Sequence, residues 1–109
     1  EIIAKAFLAA PALLRPCFVA GDVATMRRAL ALVAASGAPT WPVAQIAHPS
    51  EVLQLPPRCL PVLQVGAPLA TVAMGQVSAV AGEFAGRCVT WAAKQALQGQ
   101  IAALVTAPF

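Results

Sequence analysis

Apolar and polar residues recur along this chain with two periods, and their alternation predicts the elements. "EIIAKAFLAAP", Glu1 to Pro11, is rich in helix formers and is bounded by a proline, although no capping residue precedes it. "RPCFVAG", Arg15 to Gly21, is a short apolar run closed by glycine and reads as a buried strand. In "DVATMRRALALVAASG", Val23, Met26, Leu30 and Val33 fall on one helical face while Arg27 and Arg28 point away from it. Asp22 can cap the free amides of that helix; Gly37 ends it and Pro39 prevents its resumption.

The second half repeats this order. "WPVAQIA", Trp41 to Ala47, predicts a strand near a sheet edge, because Pro42 cannot donate to a ladder. A proline-punctuated loop from His48 to Pro61 leads to a strand at Val62 to Val65, and Gly66 to Gln76 continue as an extended connection. Ser78 is placed to cap a long helix running to Gln100, in which Glu83, Arg87, Thr90, Lys94 and Gln98 share one stripe. Ala81, Phe84, Ala85, Cys88 and Ala92 lie on the opposite side. Glu83 and Arg87 are spaced as an i, i+4 pair, and Gly82 and Gly86 suggest close approach to another backbone. Finally, "GQIAALVTAPF", Gly99 to Phe109, reads as a buried parallel strand delivering a loop to a sheet rim. The sum predicts an α/β fold, a mostly parallel sheet with helices on both faces.

Composition narrows the class. The 109 residues amount to one small domain, with no internal boundary, and 60% are hydrophobic, enough to raise the question of a membrane. The longest uncharged stretch, Cys59 to Gly82, is broken by Pro61, Gln64, Gly66, Pro68, Gly75 and Gln76, so no membrane span is expected. No leader with a basic segment and cleavage pattern is visible. The net charge of +3 comes from scattered Lys and Arg rather than a basic face, which argues against nucleic acid. Cys17, Cys59 and Cys88 lack the paired spacing of disulfide or zinc frameworks and read as reduced core thiols of a cytoplasmic protein.

The chemical inventory is short: one histidine, four carboxylates and neither tyrosine nor asparagine. His48 has no carboxylate at metal-ligand or base-orienting spacing, and no two carboxylates are spaced for acid and base work. "GDVATM" after the first strand lacks the remaining glycines of a dinucleotide fingerprint. No catalytic or metal residue is therefore expected in this chain. Thr106, Ala107 and Pro108 are the candidate substrate or cofactor loop, because open α/β sheets bind ligands beyond strand carboxyl ends; an ordinary strand terminus is the alternative.

Three segments taken together, "EIIAKAF", "FVAGD" and above all "GQVSAVAGEFAGRCVTWAAKQALQGQIAALVTAP", resemble the 4-hydroxythreonine-4-phosphate dehydrogenase family of vitamin B6 biosynthesis. The resemblance covers nearly the whole chain and is least specific from Trp41 to Val72. It implies a partial α/β lobe of a two-lobe, homodimeric fold similar to the isocitrate and isopropylmalate dehydrogenases. The implied reaction is NAD(P)-dependent oxidation of an alcohol on a phosphorylated small-molecule substrate, then decarboxylation, with a divalent metal held by histidines. Family sequences carry a glycine-rich segment before the Glu-Ile and a lysine shortly after Thr-Ala-Pro, so the chain is expected to be a fragment that is inactive by itself and binds neither NAD(P) nor metal. Relatives acting on dihydrodiols or sugar-acid phosphates, and a complete non-enzymatic α/β binding module, are the alternatives.

Overall fold

A computed structural model describes residues 1–34, 40–69 and 79–106. The chain runs α1 (Ile2–Ala9), β1 (Val19–Gly21), α2 (Val23–Ala34), β2 (Val43–Ile46), a 3₁₀ turn (Pro49–Gln54), β3 (Leu60–Gln64) and α3 (Ala79–Leu97). The three strands form one sheet in the order β1-β3-β2, and both pairings are parallel. Val19 stands opposite Val62 and Val43 opposite Leu60, so β3 is central and β2 lies at an edge as its leading Pro42 required.

Side chains alternate across β3, and each face recruits its own helices. Leu60 and Val62, both 0% exposed, join Val19 in a core with Ala4 and Phe7 of α1 and Val23, Met26, Ala29 and Leu30 of α2. On the opposite face Leu63 and Ile46 pack with Val52 of the 3₁₀ turn, and Phe18, Leu55, Val65 and Trp91 of α3 close over them. Phe18 and Trp91 meet edge to face, with centroids 6.2 Å apart and planes at 79°. The chain leaves β1 through α2 on one face and returns from β2 to β3 through the 3₁₀ turn on the other. Opposite directions over opposite faces keep the two crossovers of one hand, as parallel sheets require.

Several expectations are refined. The strand expected from Arg15 to Gly21 is shorter: residues 11–16 form turns, held by Leu14 N–H donating to Ala10 O at 3.1 Å and Cys17 N–H to Leu14 O at 2.9 Å, and only Val19–Gly21 enters the sheet. Pro61, assigned to a loop from sequence, lies inside the central strand. The geometry explains why it is tolerated. Leu60 N–H donates to Pro42 O on the β2 side and Val65 N–H to Gly21 O on the β1 side, so the donor that Pro61 lacks would face β1 before that strand begins.

α3 carries the expected stripe: Glu83, Arg87, Thr90, Lys94 and Gln98 are exposed, while Phe84 and Ala92 are buried. The Arg87 guanidinium lies over the Phe84 ring at 5.8 Å from its centroid, in place of an ion pair with Glu83. Gly82 and Gly86 have open space where a Cβ would stand, so the close backbone approach expected of them is not found among the described residues. Gly37, Pro39 and Ser78 lie outside the described residues.

The closing strand is corrected. Gly99, at φ 77°, and Gln100 N–H bonded to Gln95 O at 2.9 Å end the helix, but Ile101 to Thr106 joins no ladder, and Val105 is 91% exposed. A strand is stabilised by cross-strand pairs and ladder bonds, and no described neighbour offers either to this segment. Among the described residues, no helix is long and apolar enough to cross a membrane.

Leu60→Ala is expected to lower the unfolding free energy by about 2–5 kcal/mol, because the vacated volume lies at the centre of the sheet. Leu53→Ala, at a site 70% exposed, is expected to cost less than about 0.5 kcal/mol. Urea midpoints at unchanged denaturant slope decide between these values.

Candidate functional site

The one buried charged residue among those described, Asp22, stands where β1 ends and α2 begins. Its backbone carbonyl accepts from Met26 N–H at 3.1 Å, and its side chain does what the sequence predicts of a cap: Oδ2 accepts from Thr25 N–H at 2.9 Å. The same oxygen takes the Thr25 hydroxyl at 2.7 Å, and that hydroxyl accepts in turn from Arg28 at 3.2 Å.

The other carboxylate oxygen reaches across the sheet. Oδ1 accepts from Gln64 Nε2 at 3.0 Å and from Leu69 N–H at 3.1 Å, while Gln64 Oε1 accepts from Val23 N–H at 2.8 Å. Gly21 and Gln64 are register partners at the ends of β1 and β3, so the cluster spans the carboxyl edge of the central pairing. Gly66, at φ 72°, supplies the left-handed turn in the Gln64–Leu69 connection, where a side chain would be strained although space is open.

Burial alone would push the Asp22 carboxyl up, but hydrogen bonds from Thr25, Gln64 and the Leu69 amide outweigh it and hold the group at about 2. Asp22 is thus ionised throughout the neutral range and suits neither end of a proton transfer. Burial pushes the Cys88 thiol up, the Arg87 charge opposing only part of the shift, so it is a poor nucleophile.

His48, read from sequence as a loop residue without metal or base-orienting partners, has a structural task. Its Nδ1 accepts from Ser50 N–H at 3.2 Å, and Glu51 Oε2 accepts from the amides of Ala47 and His48 at 2.6 and 2.7 Å. The two side chains form a capping box for the 3₁₀ turn.

At the opposite, amino edge of the sheet, a cavity of about 350 Å³ lies among Phe7, Trp41, Arg15, Arg58 and Cys59. The Arg15 guanidinium there is spent on the carbonyls of Val52 and Leu55, which ties the turn after α1 to the 3₁₀ turn. Open α/β sheets take ligands at the other edge.

Of the candidate loop, Thr106 is exposed and makes no hydrogen bond among the described residues; Ala107 and Pro108 lie outside them. Gln64 is the cluster member that sequence reasoning missed. A polar residue closing the apolar run "LPVL" and standing two before Gly66 was the available signal.

The donor set does not fit the metal that the resemblance implies. No group of three or more His, Cys, Asp or Glu side chains capable of holding a cation occurs among the described residues, and the sequence contains a single histidine.

The architecture defines the class: an open, all-parallel α/β sheet wound on both faces, with its buried polar cluster at the carboxyl edge. A family model described as pyridoxal phosphate biosynthetic protein PdxA matches residues 12–109, and the chain belongs to that family, one of dehydrogenases. The family suggested by the three sequence segments is thereby shown. Neither a search of curated proteins nor one of solved structures returned a match.

The sign of the Asp22 effect fixes a pH dependence. Because its value falls from 3.8 to about 2 on folding, its stabilisation is full above the unfolded value and is lost as pH drops from about 4 to 2. Asp22→Asn is expected to cost about 2 kcal/mol at pH 6 and progressively less toward pH 2. Urea titrations of both proteins across this range measure the convergence; parallel curves would contradict it.

Proposed function

We propose that this chain is part of one lobe of a dehydrogenase that oxidises the secondary alcohol of 4-hydroxythreonine 4-phosphate with NAD(P) and a divalent metal, followed by decarboxylation. The observation that carries the reading is the family match over residues 12–109. The all-parallel sheet with helices on both faces supports it, being compatible with a lobe of an isocitrate-dehydrogenase-like enzyme.

In this reading the described residues contribute scaffold rather than chemistry. β3 and its two helical layers form a rigid platform, and the Asp22 cluster fixes the connection that leaves its carboxyl edge. Any metal the parent enzyme uses is expected to take its ligands from residues other than those described here. The parent enzyme is proposed to act as a cytoplasmic homodimer with its substrate between two lobes.

The test is an assay of reduced nicotinamide formation with 4-hydroxythreonine 4-phosphate. The parent protein is expected to turn over with NAD or NADP in the presence of a divalent cation and to lose activity on chelation. The 109-residue chain alone is expected to match a protein-free control, having one histidine and no paired carboxylates. Turnover by the parent of a dihydrodiol or a sugar-acid phosphate in place of this substrate would redirect the specificity within the family; turnover by the short chain would overturn the scaffold assignment.

A further inference from the structure

In parallel α/β proteins, the first turn of a helix that follows a strand is a ready anion site, because its free amides and the positive end of the helix dipole converge there. The most favoured place is where neighbouring strands send their connections to opposite faces. β1 and β3 meet this condition: α2 packs on the face of Leu60 and Val62, and α3 on the face of Leu63. A phosphate would be expected between Gly21 and Gln64.

Two of the three free amides of that first turn, those of Val23 and Thr25 but not of Ala24, are taken from within. The Val23 amide is taken by Gln64 Oε1 at 2.8 Å and the Thr25 amide by Asp22 Oδ2 at 2.9 Å. Asp22 is 3% exposed, and its carboxylate accepts four hydrogen bonds, from Thr25 N–H, Thr25 Oγ1–H, Gln64 Nε2–H and Leu69 N–H. A cap serving α2 alone would need only the first. The bond to Leu69 also draws the connection after β3 over the helix end, 47 residues along the chain from Asp22.

We infer that Asp22, seated by Gln64, is a built-in occupant of the anion position at the α2 N-terminus, so this crevice is closed to phosphate groups in the native protein. Any phosphate that the parent enzyme binds, on substrate or dinucleotide, is taken up elsewhere. The inference stands apart from the dehydrogenase assignment, since it concerns inorganic phosphate and the amides of this chain alone.

The experiment is a phosphate titration at ionic strength matched with chloride, following the backbone amide resonances of Val23, Thr25 and Leu69. In the wild-type chain these are expected to stay unmoved through the millimolar range. Asp22→Ser keeps a capping oxygen but removes the charge; it is expected to show saturable shifts at Val23 and Thr25. It is also expected to gain at least about 3 °C in melting temperature with phosphate over chloride. Saturable movement of the wild-type amides would overturn the inference, as would a folded Asp22→Ser protein that ignores phosphate. Should that variant fail to fold, Asp22→Gly, which empties the position and is tolerated at a helix N-cap, takes its place with the same expectations, and the wild-type titration decides by itself whether the crevice is closed.

Discussion

Everything described in this chain is assembled on the double pairing of β3. It is the strand that touches both others, and its alternating side chains divide the interior into two layers, Leu60 and Val62 toward α1 and α2, Leu63 toward the 3₁₀ turn and α3. A parallel strand cannot be joined to its neighbour by a tight turn, so each pairing obliges the chain to cross a face and cover it. The helices therefore do not merely decorate the sheet. Of the covering elements, α2 and the 3₁₀ turn are the connections its topology demands, and together with α1 and α3 they supply the apolar residues that keep β3 dry.

This constraint explains how much of the fold was legible in the sequence. The α2 pattern of Val23, Met26 and Leu30 and the α3 stripe of Glu83, Arg87, Thr90, Lys94 and Gln98 follow from a local period, and both elements have the expected faces. The strands were harder, because their limits are set by partners distant in sequence. Arg15 to Phe18 has strand-like composition but stays outside the ladder: Arg15 and Pro16 belong to a turn closed by the Leu14 and Cys17 amides, and the Arg15 guanidinium is held by the carbonyls of Val52 and Leu55. Ile101 to Val105 has the composition of a buried strand, yet composition cannot supply a neighbour, and without one Ala102 to Val105 stay exposed.

The site was legible in a different proportion. Asp22 could be read as a cap, because a carboxylate before an amphipathic run has a local mechanism. Its second role could not, because Gln64 and Leu69 come from the far side of the chain and are brought close only by the register of Gly21 with Gln64. His48 and Glu51 show the complementary case: their spacing permits a capping box, but a histidine invites thoughts of catalysis or metal before structure. The family was recognisable because it rests on long stretches of residue order, which survive where single reactive groups are absent.

Pro61 gives the sheet a property that composition alone would not suggest. A short parallel strand such as β1 has few bonds to hold its alignment, and sliding by two residues would keep its side chains on their correct faces. With Val65 N–H on Gly21 O, such a slide toward the start of β3 would bring the Val19 carbonyl against the proline nitrogen, which has no hydrogen to offer. The imino acid thus acts as a mechanical stop: it penalises that misaligned pairing during folding while leaving the native one intact.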